Sequence, residues 1–303
     1  MDRVTSLLEK ISKNIDRLEP LFPPDHQSID FDKNVAFRWV KKSYSPFGRL
    51  QPIQNPTTIA FEQLVGIEKQ INEIRQNTEQ FLANLPANNL LLTGARGTGK
   101  SSLIKATLAS YQQKGLKMVE IDSQDLEDLP ELLAILERAP YSFIIFCDDL
   151  SFEAGDPAYK PLKAMLDGSL SSPAKNILLY ATSNRRHLLP ESMQDNLNQY
   201  EAQEIHPQEA IEEKISLSER FGLWISFYPP SQKEYLAMVK SWLYQLAPDI
   251  TYNEEIEREA LQFTQRRGSR SGRIAYQFTK DFVGRSQLMT IKNTQKHLTT
   301  DIE

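Results

Sequence analysis

The segment that most constrains this chain is residues 94–101, which read Gly-Ala-Arg-Gly-Thr-Gly-Lys-Ser. This is the phosphate-loop pattern, in which two glycines separated by four residues precede a lysine and then a serine or threonine. Glycines allow backbone conformations in which successive N–H groups turn towards phosphate oxygens. An apolar strand candidate at 89–93 precedes the segment, and a helix candidate at 102–108 follows it. The pattern therefore predicts a strand, a phosphate-binding turn and a helix whose N-terminus faces the phosphates.

The same pattern predicts a role for each residue of the turn. Lys100 is expected to reach the outer phosphates of a nucleoside triphosphate, and the hydroxyl of Ser101 to ligate Mg²⁺. The other nucleotide-binding residues predicted here are Gly94, Ala95, Arg96, Gly97, Thr98, Gly99 and Ser102. A glycine-rich turn without a ligand is the alternative, and the flanking strand and helix argue against it.

The composition predicts a soluble protein with a substantial core. The chain has 303 residues, of which 40% are hydrophobic, enough for one large domain or two of ordinary size. Its formal net charge of −5 provides no overall attraction to nucleic acid or acidic membranes. No apolar run is long enough to cross a membrane, and the N-terminus lacks the apolar region of a signal peptide. Since the single Cys147 fits a reducing compartment, we expect a cytoplasmic protein without membrane insertion.

Apolar strands alternate with longer helical stretches between residues 60 and 228, a pattern typical of a parallel sheet with helices on both faces. The predicted strands are 89–93, 117–121, 141–147, 176–182 and 223–228. Helical periodicity then predicts three amphipathic helices at 231–246, 253–267 and 271–284, which form a small helical domain. The expected fold is a three-layer α/β/α sandwich with a five-stranded parallel sheet, followed by a small helical lid domain.

These patterns also predict where the domains begin and end. An N-terminal appendage is expected over 1–58, the α/β nucleotide-binding domain over 59–228, the lid over 229–285 and a polar tail over 286–303. Within the appendage, spacing predicts an amphipathic helix at 4–18, and residues 35–40 form an apolar-aromatic segment in an otherwise irregular, proline-rich stretch. The appendage either packs on the main domain or docks a partner, and the sequence leaves both roles open.

Two carboxylates, Asp148 and Asp149, follow the apolar run 143–147. They are therefore expected at the carboxyl end of a buried strand, where ligands bind in open α/β sheets. A phosphate-loop enzyme needs one carboxylate for the Mg²⁺ shell, and this is the role predicted for Asp148. Asp149 would then polarise the attacking water. A pair of solvated aspartates at the start of a loop is the alternative.

With these motifs in this order, residues 60–285 resemble an AAA+ ATPase. The resemblance implies that Asn184, after the fourth predicted strand, is the sensor 1 residue that orients water, with Thr182 as a second candidate. It also implies that Arg220 is an arginine finger that projects into a neighbouring subunit's site and stabilises charge there. A surface salt bridge is the alternative role for Arg220.

In the lid, the resemblance implies that Arg273 is the sensor 2 arginine that folds over the phosphates, with Arg270 as the runner-up. A rival interpretation groups four arginines into a nucleic-acid-binding patch: Arg266, Arg267, Arg270 and Arg273. Val65 and Ile67 lie in the segment where AAA+ proteins seat the adenine. The cofactors implied by the resemblance are ATP and Mg²⁺.

More narrowly, the stretches 85–89, 146–152 and 183–190 resemble a bacterial-type AAA+ family of uncharacterised role. The broader AAA+ resemblance implies a homo-oligomeric ATPase that acts at a subunit interface to remodel or load a protein or nucleic-acid partner. Residues 121–130 are acidic and lack an aromatic residue, which argues against a threading unfoldase. Because Asp149 stands where the family more commonly has glutamate, slow turnover is expected. A nucleotide-gated assembly switch is therefore the main alternative, and a small-molecule kinase that shares only the phosphate loop is a further one.

Overall fold

The structure, a computed structural model, describes residues 29–41, 45, 47–57, 59–152, 156–167, 174–184 and 217–300. The predicted helix at 4–18 and most of the family-like stretch 183–190 lie outside these residues. The strands are β1 (Ala36–Lys41), β2 (Gly48–Pro52), β3 (Leu90–Gly94), β4 (Leu116–Ile121), β5 (Ser142–Cys147), β6 (Ile177–Ser183) and β7 (Leu223–Phe227). The α-helices are α1 (Glu68–Leu82), α2 (Lys100–Tyr111), α3 (Leu129–Leu136), α4 (Tyr159–Asp167), α5 (Gln232–Leu246), α6 (Glu254–Arg267) and α7 (Gly272–Thr300).

All of these strands form one sheet in the order β2-β1-β4-β5-β6-β3-β7, and every neighbouring pair except β1 and β2 is parallel. Successive residues of β3 point to opposite faces. Leu91 packs in one apolar cluster with α3 and α4, whereas Leu90 and Leu92 pack in a second cluster with α1 and α2. Burial on both faces explains why the parallel strands are almost continuously apolar. The predicted α/β architecture with a mainly parallel sheet is confirmed.

The prediction of five strands is wrong, because β1 and β2 extend the sheet beyond β4. β1 pairs in parallel with β4, beginning with Ala36 opposite Met118, and β2 folds back antiparallel to β1. Phe37 and Trp39 of β1 are buried in the first apolar cluster. β2 carries one large apolar residue, Leu50, so it lacks the alternation of apolar and polar residues that indicates a strand. Short edge strands pair on one side only, and their weak pattern is hard to detect in sequence.

The helices after β7 enclose an apolar cluster of their own. Ser231 and Glu234 form a capping box at the start of α5: the Ser231 hydroxyl accepts the Glu234 N–H at 3.3 Å, and the Glu234 carboxylate accepts the Ser231 N–H at 2.7 Å. For α7 the sequence predicts residues 271–284, but the helix continues to Thr300, through the segment predicted as a polar tail. Across the part of the chain that the structure describes, no helix combines the length and apolarity needed to cross a membrane.

Candidate functional site

The turn between β3 and α2 depends on glycines in the left-handed region of backbone conformations. Gly94 has φ +137° and Gly97 has φ +79°. A Cβ on Gly94 would lie 2.1 Å from the carbonyl oxygen of Phe227 on β7, and one on Gly97 would lie 2.9 Å from Oγ of Ser271 at the start of α7. Larger residues therefore fit at neither position. Because α2 begins at Lys100, the unpaired N–H groups of its first turn face into this loop.

The remaining loop residues close and cap the turn. The hydroxyl of Thr98 donates to the carbonyl oxygen of Ala95 at 2.9 Å. Gly99 is the N-cap of α2, and Ser102 lies half-buried in the first turn of that helix. The backbone of the loop is thus closed by its own hydrogen bond and leads directly into α2.

Lys100 is buried, and its ammonium group stays close to the loop. Nζ donates to the carbonyl oxygens of Gly94 at 2.6 Å and Ala95 at 2.9 Å, and to Oδ1 of Asn184 at 3.0 Å. Burial lowers the pKa of Lys100 from its ordinary value, while the negative charges of Asp148 and Asp149 oppose that change. The site therefore concentrates a cation next to two carboxylates, an arrangement suited to a phosphate group and a metal ion together.

Asp148 lies at the end of β5, where two hydroxyl groups converge on one of its oxygens. Ser101 Oγ donates to Asp148 Oδ1 at 2.6 Å, and Thr182 Oγ1 donates to the same atom at 2.5 Å. The carboxylate and the Ser101 hydroxyl are hard oxygen ligands, which Mg²⁺ prefers, and it commonly completes its shell with water and phosphate oxygens. The residues present therefore fit a Mg²⁺ site held by Ser101 and Asp148.

Asp149 has φ +56°, a left-handed conformation that is uncommon outside glycine. Its N–H donates to Thr182 Oγ1 at 2.9 Å. Asn184 Nδ2 donates to Asp149 Oδ1 at 2.5 Å, and the guanidinium of Arg96 lies 3.4 Å from Asp149 Oδ2. Thus Thr182 and Asn184 have separate tasks: the first fixes Asp148 and the backbone of Asp149, and the second connects Lys100 to the Asp149 carboxylate.

The lid contributes Arg273, next to the phosphate loop. A Cβ on Gly97 would lie 3.3 Å from Cβ of Arg273, and the positive charge of Arg273 contributes to the lowered pKa of Lys100. Ser271 caps this end of α7, where its hydroxyl accepts the N–H of Ile274 at 3.2 Å. Arg270 precedes the helix and is exposed. The start of α7 therefore faces the glycine-rich loop directly.

The segment predicted to seat the adenine lies between the loop and the lid. Ile67 is buried, and its Cδ1 is 3.5 Å from the position that a Cβ on Gly99 would occupy. Val65 is half-buried. On the lid side, a Cβ on Gly66 would lie 3.7 Å from Cε of Met238. Apolar side chains therefore lie on both sides of this segment, at the phosphate loop and at the helices after β7.

Arg220 is the predicted site residue that the structure does not bring to this cluster. It comes three residues before β7, which runs parallel to β3 with Leu223 opposite Leu90 and Phe227 opposite Gly94. Arg220 therefore lies at the amino edge of the sheet, whereas the phosphate loop lies at the carboxyl edge. The length of β7 separates the two by about 13 Å or more, at roughly 3.3 Å per residue. In this chain the Arg220 guanidinium forms an ion pair with Asp167 at the end of α4.

The contacts that the sequence did not predict include that of Arg96 with Asp149 and that of Ser271 with Gly97. Ser271 had a local signal, since a serine just before helical periodicity is a common helix start. Its position over Gly97 depends on how the lid packs, which no local pattern gives. Likewise, the contact of Arg96 depends on tertiary packing between loops 53 residues apart in sequence.

Comparison with known proteins gives a family and a fold likeness. A family profile described as "Protein of unknown function (DUF815)" matches residues 32–286. Among curated proteins, none matches the sequence significantly. Among solved structures, the RuvB Holliday junction branch migration motor of Thermotoga maritima aligns at 17% identity and a TM-score of 0.49 over 77% of this chain and 66% of RuvB. Two point variants of the same RuvB align at 17% and 18% identity with TM-scores of 0.49 and 0.48. The chain thus spans slightly less than two thirds of RuvB.

Proposed function

Because the chain belongs to the DUF815 family, whose function is unknown, its activity has to be inferred from its site, and we propose that it is an AAA+ ATPase. The observation that carries the proposal is the connected set of contacts around the two carboxylates. Asp148 bonds to Ser101, the expected metal ligand, and Asp149 is joined through Asn184 to Lys100, the expected phosphate ligand. These contacts support Asp148 as a ligand for a metal ion and Asp149 as the group that orients water beside a reacting phosphate.

The proposed chemistry is hydrolysis of ATP to ADP and phosphate. Lys100 and the N–H groups of the loop bind the phosphates, and Ser101 and Asp148 hold Mg²⁺, which offsets charge on the phosphate oxygens when bound. Asp149 accepts a hydrogen bond from the attacking water and orients it towards the terminal phosphorus. Asn184 fixes the orientation of the Asp149 carboxylate through its 2.5 Å hydrogen bond.

The proposal includes a homo-oligomer in which residues of two chains complete one site. Arg220 lies at the edge of the sheet opposite the phosphate loop, so it would act on the nucleotide of a neighbouring copy. Its ion pair with Asp167 would then hold the side chain until a neighbour binds. Within the chain, Arg273 closes over the phosphates from the lid, and Val65 and Ile67 seat the adenine. We propose that this assembly remodels or loads a protein or nucleic-acid partner in the cytoplasm.

A nucleotide-gated switch with slow turnover is the second candidate, and Asp149 is the observation that favours it. Its side chain is short, and both of its oxygens have partners, Asn184 and Arg96.

Residues Ser123–Asp128 at the end of β4 form a 3-10 helix, and the Asp128 carboxylate accepts hydrogen bonds from Trp39 Nε1 at 3.1 Å and Lys41 Nζ at 2.6 Å. This anchoring supports a mode of action other than threading a substrate past that segment.

Nucleotide binding and turnover by purified protein test the proposal. We expect Lys100→Ala to weaken ATP binding by at least about tenfold, because a buried, charged hydrogen-bond donor to phosphate is lost. Asp149→Asn should bind ATP and hydrolyse it poorly. Lys69→Ala is a matched control, since Lys69 is an exposed lysine on α1. The proposal is wrong if wild-type protein does not bind ATP, or if Lys100→Ala binds it as tightly as the control does. A partner that raises turnover well above the basal rate would favour remodelling over the switch.

A further inference from the structure

Arg96 is an unusual feature of the candidate site, because its charge lies beside the carboxylate expected to activate water. It is the third residue of the phosphate loop, and its guanidinium lies 3.4 Å from Asp149 Oδ2. The other oxygen of that carboxylate bonds to Asn184, which also accepts from Lys100. Arg96 therefore contacts this carboxylate directly, and Lys100 is linked to it through Asn184. Any group bound between these two cations and Asp149 would have to be an anion that tolerates a nearby carboxylate.

The ion pair of Arg96 with Asp149 is weak enough to be exchanged. The Arg96 side chain is 74% exposed and that of Asp149 is 53% exposed, so water screens their attraction. A terminal phosphate carries more charge than a carboxylate and presents several oxygens to the planar fork of an arginine. Given a choice between Asp149 and a phosphate at the same place, the guanidinium should bind the phosphate.

We propose that Arg96 is a specificity-determining residue that binds the terminal phosphate of a nucleoside triphosphate within its own chain and is held by Asp149 when that phosphate is missing. The inference rests on the proposed function, since it concerns the same phosphate site. It adds a cation that acts within one chain, independently of Arg220. When Arg96 turns to the phosphate, Oδ2 of Asp149 becomes available to water. A nucleoside diphosphate leaves the ion pair in place, so the carboxylate is released by triphosphate alone.

The experiment compares calorimetric binding of ADP and of the non-hydrolysable β,γ-imido analogue of ATP, both with Mg²⁺. We expect Arg96→Gln to weaken binding of the triphosphate analogue about tenfold or more, because one charge-assisted contact is lost. Binding of ADP should stay within about twofold of wild type, since ADP lacks the terminal phosphate that Arg96 is proposed to bind. Arg96→Lys should bind the triphosphate analogue with an affinity between those of wild type and Arg96→Gln, because lysine keeps the charge but lacks the planar guanidinium. Arg138→Gln is the control, an exposed arginine before the amino end of β5, at the opposite edge of the sheet.

The ADP measurement also reports folding, so each outcome decides the matter. Unchanged ADP binding with weakened triphosphate binding supports the proposal. The proposal is overturned if Arg96→Gln and Arg96→Lys weaken the binding of both nucleotides equally. It is also overturned if they weaken the binding of neither nucleotide. If wild-type protein binds neither nucleotide, the proposed function itself fails, and the wild-type titrations alone show this.

A second measurement tests the part of the proposal that concerns Asp149. Removing the carboxylate charge with Asp149→Asn should tighten binding of the triphosphate analogue by about two- to fivefold, in part because Arg96 is no longer held. In the Arg96→Gln background the gain should be smaller, since no guanidinium remains to be released. If Asp149→Asn raises the affinity for the triphosphate analogue equally in both backgrounds, then Asp149 does not hold Arg96 before the phosphate binds.

Discussion

At the scale of single residues, the backbone of Asp149 explains why an aspartate occupies this position of the site. Its φ of +56° lies in the left-handed region, and its N–H is fixed by Thr182 Oγ1. Aspartate and asparagine visit this region more readily than other residues with a Cβ, because their short side chains interact with the local backbone. The AAA+ resemblance leads one to expect glutamate here. The left-handed backbone gives a physical reason for aspartate at this position. Its side chain is shorter than that of glutamate, so the carboxylate extends less far towards an attacking water.

Asp149→Glu is therefore expected to lower stability without raising turnover. The longer side chain is less suited to the left-handed backbone, so we expect the free energy of unfolding to fall by about 1 kcal/mol. The value of kcat should stay at or below that of wild type, because the carboxylate would leave its contacts with Asn184 and Arg96. Urea unfolding and steady-state ATPase assays measure the two effects. Asp149→Asn is the control, because it suits the same backbone and should keep wild-type stability. Faster turnover at unchanged stability in Asp149→Glu would show that side-chain length alone limits the reaction.

The site could be predicted from sequence where the chemistry is local. Lys100 and Ser101 follow from a continuous motif, and Asp148 from its position after an apolar run. The division of tasks between Thr182 and Asn184 could not be predicted, because both residues lie at the carboxyl end of β6 and the sequence does not show which carboxylate each side chain contacts. Thr182 Oγ1 contacts Asp148, and Asn184 reaches Asp149 and Lys100. Which oxygen each one meets depends on the packing of β6 between β3 and β5.

At the scale of secondary-structure elements, β1 and β2 are what sequence patterns missed. The five strands predicted from apolar runs are all present, because burial on both faces leaves a strong signal. In the sequence, β1 corresponds only to an apolar-aromatic segment at 35–40, and no local pattern predicts its pairing with β4. Trp39 joins the hairpin to the domain, since its indole is buried and its N–H donates to Asp128. Tertiary contacts thus define this pair of strands more than the strands' own sequence does.

The contact of β2 with Trp39 gives an element-scale prediction. A Cβ on Gly48 would lie 2.0 Å from Cζ2 of the buried Trp39 side chain, so Gly48→Ala forces the indole or the hairpin to move. We expect the free energy of unfolding to fall by about 1–3 kcal/mol, the usual range for overpacking. Gly284→Ala is the matched control, because Gly284 lies in α7 and a Cβ there would meet nothing within 4 Å. That control should raise stability by up to about 1 kcal/mol, as alanine favours helix. Urea unfolding followed by circular dichroism measures both, and equal stability of the two variants would contradict the packing described for the hairpin.

At the scale of the whole molecule, the parallel sheet places Arg220 and the phosphate loop at opposite edges. β3 leads into the loop at Gly94, whereas Arg220 precedes β7 at the other end of the same pair of strands. An arginine in this place cannot close the site of its own chain, so it serves a neighbour or has no role in hydrolysis. A head-to-tail contact between copies would bring the amino edge of one sheet to the carboxyl edge of the next, the heterologous contact from which rings are built.

Mixing two inactive variants tests this arrangement. Arg220→Ala keeps an intact phosphate loop, and Lys100→Ala keeps an intact Arg220, so a site formed between them can be complete. If the copies assemble at random, an equal mixture should recover about a quarter of wild-type ATPase activity, while each variant alone is nearly inactive. The control mixes Lys100→Ala with Asp148→Asn, two changes within the same site, and should recover nothing, because every chain carries one of the two lesions at its own nucleotide. Activity that stays near zero in the first mixture, or an Arg220→Ala variant that is fully active alone, would mean that Arg220 does not act on a neighbouring copy and that its contacts within its own chain, the ion pair with Asp167 among them, account for its presence.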